Sequence, residues 1–327
     1  MKISALVTFY NQADYVDDAL NGLISQKTDF EYEILVGDDG SDDCTVSKVK
    51  HWQAKYPDLI SLYIMDRESG RKYNPIHRAS ANRLNLVSRA RGDYFLVLDG
   101  DDYYTDPNKF QLQADILDQL ENRDCIGCAH DFNNYYAEDG RVEAVIRNKR
   151  PEGKIEGWRY WATGHYFPAE NILFRNIFRN GHPSRCPRLY FDDTTLVLFM
   201  LNYGDLYYLP RIMANCRQSQ TSIWQPVDPL YKLVNRLLFY AAALECNPKF
   251  KNATIREYFN VIRTARKKCS EFNAEEFDSF RRQAEEEGAI EALRWLNYSR
   301  LGWRARLGIQ FEFCKNWLVK HLVQFRL

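Results

Sequence analysis

Acidic and basic side chains balance at 44 each in a chain of 327 residues, so no global field draws it to nucleic acid, and the length suits one large α/β domain plus an appendage. Eight cysteines without a framework spacing, one pair of them as the lone Cys125-Ile-Gly-Cys128, supply no disulfide scaffold and no paired zinc knuckle and read as reduced, buried thiols. The chain enters a strand pattern at once with no signal peptide, and no apolar run reaches the length of a membrane span, so a cytoplasmic location is expected.

Ile3–Phe9 reads as a buried strand, turned by Tyr10-Asn11-Gln12 into a helix from Val16 to about Gln26, whose apolar residues recur at helical spacing. Glu33–Val36 is a second strand, ending in Gly37-Asp-Asp-Gly-Ser-Asp-Asp43 and followed by a helix to about Tyr56, capped by Asp42 or Asp43. Ile60–Ile64 is a third strand. Residues 66–80 are polar and read as a mobile loop, with a helix at 81–90. Tyr94–Leu98 is the fourth strand and opens directly onto Asp99-Gly-Asp-Asp102. Asp106-Pro107 starts a helix over Lys109–Leu120. Strands follow at Ile126–Phe132, Thr163–Phe174 and Leu206–Leu209, with a turn at Glu138–Arg141 and a helix at Asp193–Tyr203. Gln225–Pro229 reads as a boundary, dividing an α/β domain at 1–225 from a helical extension at 226–327.

Strands alternating with helices predict a doubly wound, mostly parallel sheet. Right-handed crossovers then bring the ends of strands one, two and four to one edge, so Asn11, Asp39 and Asp99–Asp101 converge. Three carboxylates within four residues repel unless a cation sits among them. A hard divalent ion, Mn²⁺ or Mg²⁺, takes such oxygens and keeps sites for phosphates. The competing reading, a calcium-binding loop, fails on spacing, since the fifth and twelfth positions from Asp99 are Tyr103 and Phe110. A solvated acidic turn is the other plain alternative. In the last segment Trp303, Phe311, Phe313, Trp317 and Phe325 mix with Arg304, Arg306, Lys315, Lys320 and Arg326 against Glu312 alone. Such a tail can lie at a membrane interface, or pack on the core or a partner.

Four stretches carry a resemblance. These are Ser4–Gln12, Val36-Gly-Asp-Asp-Gly-Ser-Asp42, Ala90–Pro107 around Asp99-Gly-Asp101, and Tyr190-Phe-Asp-Asp-Thr-Thr-Leu196. In this order they resemble inverting family 2 glycosyltransferases of the GT-A fold, particularly bacterial enzymes of capsule, O-antigen and other surface polysaccharides. The resemblance implies a sugar moved from a nucleotide diphosphate, with UDP as the prior, to a glycan or lipid-linked acceptor. It places Thr8, Tyr10, Asn11 and Asp39 around the nucleotide base, Arg83 near the donor, and Asp101 on the metal. Asp99 would hold the ribose or a metal-bound water, Gly100 lies between them, and Asp102 would come near the sugar. Arg71 and Lys72 are candidates for the diphosphate. By motif position Asp193 is the base that activates the acceptor hydroxyl, aided by Asp192, although a helix cap would equally explain Asp192-Asp193. Arg217 and Gln220 are candidates for closing the donor site, and His165 and Trp161 for the acceptor face. Two other classes compete: a nucleotidyltransferase, against which Phe9–Ala13 lacks a glycine-rich basic loop, and a non-catalytic glycan-binding module.

Overall fold

The computed structural model describes residues 1–218 apart from 69, 72, 147–150 and 158–166, together with 239, 242–243, 245–250 and 282. The chain divides into two compact units, Met1–Gln225 with Ala242–Thr254, and Pro226–Ala241 with Ile255–Leu327. The helices expected at 230–246, 253–269, 274–287 and from 289 onward lie largely outside the described residues, as do His165, Trp161, Lys72, Gln220 and the tail.

The first unit is built on strands β1 (Ile3–Phe9), β2 (Tyr32–Asp38), β3 (Ile60–Ile64) and β4 (Tyr94–Asp99), all parallel in the order β3-β2-β1-β4. The runs of β1, β2 and β4 are apolar because both faces are covered, as a parallel sheet with helical crossovers requires, whereas the edge strand β3 is only partly buried. In β4 every residue up to Leu98 is buried and only Asp99 reaches half-exposure. Burying side chains such as Leu96, Val97 and Leu98 contributes roughly 1.5–3 kcal/mol each, which fixes the strand end from which the acidic turn projects. Beyond β4 the sheet continues through β9 (Ile172–Arg175), antiparallel to both neighbours, then β6 (Cys125–Tyr136), β10 (Asp205–Gln218) and the short β5 (Tyr103–Tyr104). Strands β7 (Arg141–Val145) and β8 (Gly153–Ile155) flank β6 and β10.

The helices are α1 (Val16–Ile24), α2 (Thr45–Lys55), α3 (Pro75–Val87), α4 (Lys109–Asp118) and α5 (Asp193–Met200). One expectation is overturned here. The polar stretch read as a loop to residue 80 already turns helical at Pro75. Asn74 caps α3 by accepting from the N–H groups of Ile76 and His77 at 3.0 and 3.1 Å, and Pro75 occupies the first helical position. Both are strong start signals that the polarity of the segment masked. Helix α2 starts at Thr45 with neither Asp42 nor Asp43 as N-cap, although the Asp43 carboxylate accepts from the Thr45 N–H at 2.8 Å. Of the strand expected at 163–174, residues 163–166 lie outside the described residues; among the described ones it begins at Ile172, after a 3-10 turn at Ala169–Asn171. Strand β10 is far longer than Leu206–Leu209, because its second half, of mixed polar and apolar residues, is paired with β6 out to Tyr136. The six cysteines described are all unpaired thiols. Among the described residues no helix is long and apolar enough to cross a membrane.

Candidate active site

The parallel register sets the site. Thr8 on β1 is level with Gly37 on β2 and with Asp99 on β4. Beyond that level the turns are stitched by backbone bonds, from Asp39 N–H to Phe9 O at 2.9 Å and from Gly100 N–H to Thr8 O at 3.0 Å. The ends of strands one, two and four thus meet at one edge, where ligands of open α/β sheets bind. Asn11 adopts a left-handed φ of 50°, tolerable for its short polar side chain. Its N–H donates to Ser41 Oγ at 2.9 Å and its Oδ1 accepts from Asp42 N–H at 3.0 Å. Ser41 is itself held by fully buried Asp38. Asn11 therefore binds the two turns together and spends its side chain on the scaffold.

Asp39 is 5% exposed and sits between two arginines. Arg67 donates from Nε to the Asp39 carbonyl at 2.6 Å and from Nη2 to Oδ2 at 2.5 Å, and Arg78 on α3 donates from Nε to Oδ1 at 2.6 Å. The Arg67 guanidinium lies 3.9 Å from the ring centroid of Tyr10, whose side chain is exposed. Neither arginine was singled out from the sequence: they stand in the polar stretch before and at the start of α3, with no spacing that marks them. Arg71, which was singled out, is exposed and pairs instead with Glu68 at 2.9 Å.

Arg83 is 8% exposed and reaches two walls of the edge. Its Nη2 bonds Asp99 and its Nη1 donates to the Phe191 carbonyl at 3.3 Å, while Nε has no partner. Burial opposes its charge, but Asp99 and Asp193 raise its affinity for the proton above the ordinary arginine range. Arg83 takes one oxygen of Asp99 and leaves the other to the site. Gly100 is required by close approach: a Cβ there would stand 2.2 Å from the Phe9 ring. The Asp101 carboxyl is pushed up to about 6, first by burial and then by Asp99. Among the described residues no cationic side chain pairs with it, so Asp101 and the second oxygen of Asp99 form a donor set short of positive charge, which fits a hard divalent ion.

Asp102, expected near the sugar, is turned into the protein. It is 9% exposed and turned beneath the loop, where it bonds the Arg217 N–H and lies against Glu170. The next side chain along a tight turn points to the other side, and here that side is protein interior. Arg217 clamps the same loop from β10, with Nε to the Asp101 carbonyl at 2.8 Å and Nη2 to Asp18 at 2.7 Å. Buried Glu170 and Cys216, which complete this underside, carried no recognisable pattern in the sequence.

On the far wall, Asp192 and Asp193 open α5. Asp192 is the N-cap in a full capping box with Thr195, so its side chain serves the helix end. The Asp193 carboxyl is raised to about 8, by burial first and by Asp99 next, with Arg83 opposing. Asp99 is thus the charged group that most raises Asp193, and Arg83 feels both carboxylates.

The sheet order and this edge define the GT-A fold. Residues 4–181 match the family described as glycosyl transferase family 2, and the chain belongs to that family. A protein of Mycobacterium bovis, itself uncharacterised, is 28% identical over 225 residues, covering 66% of this chain and 58% of its own length. The chain thus spans little more than half of that relative. The poly(ribitol-phosphate) beta-glucosyltransferase of Bacillus spizizenii is 30% identical over 104 residues, 32% of this chain and 15% of that protein. Among solved structures, residues 1–349 of S. aureus TarS in complex with UDP superpose with a TM-score of 0.60 at 18% identity, covering 92% of this chain and 81% of that one. The mannosyltransferase PcManGT of Pyrobaculum calidifontis, in complex with GDP-Man and Mn²⁺, gives 0.50 at 16% identity, covering 91% and 84%.

Proposed function

We propose that the protein is a metal-dependent, inverting glycosyltransferase that moves a sugar from a UDP-sugar to a hydroxyl of a glycan or lipid-linked saccharide in surface polysaccharide synthesis. The observation that carries this reading is Arg83, which binds Asp99 on the donor loop with one nitrogen and the turn leading into Asp193 with another. One buried cation thereby holds donor floor and acceptor wall at a fixed spacing, as a direct displacement between two substrates requires.

Uracil presents an acceptor–donor–acceptor edge, and Arg67, Asp39 and Arg78 together offer donor–acceptor–donor. Guanine places two donors side by side and would leave one facing an arginine. Tyr10 and the Arg67 guanidinium above it give a planar face on which a base can stack. Of the neighbours, TarS holds UDP and PcManGT holds GDP-Man, so the choice of uracil rests on this edge. Asp101 and Asp99 would hold Mn²⁺ or Mg²⁺, and such an ion, when bound, neutralises charge on the departing diphosphate.

Asp193 takes the proton of the acceptor hydroxyl as the oxygen attacks the anomeric carbon from the face opposite the diphosphate. Its raised proton affinity makes it a stronger base than an ordinary carboxylate, while Arg83 keeps that rise within bounds. Asp192 caps the helix that presents it.

Release of UDP from UDP-sugars in the presence of Mn²⁺ tests the reading. Asp101→Ala is expected to abolish it and Asp193→Asn to lower it by about 10²- to 10⁴-fold. Release of pyrophosphate from UTP and a sugar 1-phosphate, with no UDP released from UDP-sugars, would reassign the protein to nucleotidyl transfer, and glycan binding without nucleotide-sugar binding or turnover would make it a binding module.

A further inference from the structure

Beneath the donor loop lies a second set of ligand-type side chains that sugar transfer does not use. Asp102 from the turn after β4, Glu170 from the turn before β9 and Cys216 from β10 each offer an oxygen or sulfur atom, all within 4.8 Å of one another. The three residues are 9%, 5% and 7% exposed. Cys216 Sγ donates to Glu170 Oε1 at 2.7 Å. Asn171, fully buried, lays its amide against the same sulfur, with Nδ2 4.0 Å from Sγ, and its Oδ1 has no hydrogen-bond partner. A half-turn of the amide exchanges the two atoms and brings that oxygen to the sulfur. Buried Lys109 donates to Gln113 Oε1 at 2.8 Å and lies over the Tyr104 ring, paired with neither carboxyl. Two acids, a thiol and an unmatched carbonyl in a dry interior are costly by themselves. They are also what a cation collects.

We propose that Asp102, Glu170, Cys216 and the Asn171 side-chain oxygen form a closed, buried site for a thiophilic divalent cation of the zinc class. A thiolate among carboxylate oxygens favours a zinc-class ion over magnesium or calcium, which take oxygen ligands alone. The oxygen-only pair Asp99–Asp101 on the other side of the loop has the opposite preference. The buried ion would anchor the residue next to Asp101 to β10, where Asp102 already meets the Arg217 N–H. Ligands this enclosed take their metal during folding and hold it afterwards.

The test is full-length protein expressed in cobalt-supplemented minimal medium and dialysed against EDTA. One equivalent of retained cobalt with a thiolate-to-cobalt charge-transfer band is expected, lost in Cys216→Ser and kept in Asp101→Ala. Glu170→Gln, nearly isosteric, is expected to lose the retained metal as well and serves if the variant at 216 folds poorly. Absence of retained metal from the parent protein overturns the proposal and leaves a pair of carboxyls sharing a proton. A band that survives Cys216→Ser overturns it too. Neither readout uses transferase activity, so the result stands apart from the reading of the donor site.

Discussion

Asp193 shows how one carboxyl is set apart from its neighbours. Asp99 has Arg83 on one oxygen, and Asp192 turns its Oδ1 to the helix end. Asp193 is left with burial and the field of Asp99, which hold its proton up to about 8. A base must be deprotonated to act. Below pH 8 the free protein therefore holds it mostly in the wrong state, and kcat/KM is expected to rise about tenfold per pH unit and level off above 8. Asp193→Asn removes the acceptor of the proton and is expected to lower kcat by about 10²- to 10⁴-fold, with binding of UDP, measured by calorimetry, unchanged. A profile that is flat from pH 6 to 9 in the parent protein would remove Asp193 from the role. Arg67 and Arg78 make the complementary point: their role is fixed by Asp39 and not by any motif they belong to.

At the scale of elements, the donor loop is held by contacts that forbid extra volume. Gly100 meets the Phe9 ring on β1, and Gln12 Oε1 lies 2.7 Å from the position of a Cβ there. Phe9 is 1% exposed and cannot retreat without opening the core. Gly100→Ala is therefore expected to cost about 1–3 kcal/mol of stability, as overpacking does, measured by denaturant unfolding; a loss under 0.5 kcal/mol would mean that the loop yields freely. The same elements explain what could be read from the sequence. Strands β1, β2 and β4 are buried on both faces, so their apolar runs and the convergence of Asp39 with Asp99 and Asp101 were legible. Helix α3 was half missed, since its start is polar and its signals are local. Strand β10 was cut short because its second half, from Met213 to Gln218, faces the loop with mixed side chains. Asp102 was misdirected because a linear motif does not say which way a turn points its third carboxylate.

For the whole molecule, neutrality conceals an asymmetry. Residues 303–327 carry five Lys or Arg against one Glu, a charge of +4, so the other 302 residues hold 39 basic and 43 acidic side chains and carry −4. A chain with no net charge is indifferent to an anionic surface only when its charges are mixed. Here each basic residue of the tail brought near anionic lipid contributes about 1 kcal/mol, while the acidic remainder is repelled and screened within about 10 Å at moderate salt. The tail's Trp303, Phe311, Phe313, Trp317 and Phe325 add apolar area suited to the interface. An enzyme acting on a lipid-linked saccharide gains from this polarity, because its acceptor is confined to the membrane plane and contact raises the encounter rate. Full-length protein is expected to co-sediment with vesicles containing phosphatidylserine and to be released by about 0.5 M salt, where the Debye length has shrunk to a few ångströms. Reversing Arg304, Arg306 and Lys315 to Glu turns the tail from +4 to −2 and is expected to abolish the binding while UDP release from a soluble acceptor assay is retained. Equal binding to neutral phosphatidylcholine vesicles, or binding untouched by the reversal, would show that charge does not bring this protein to a membrane.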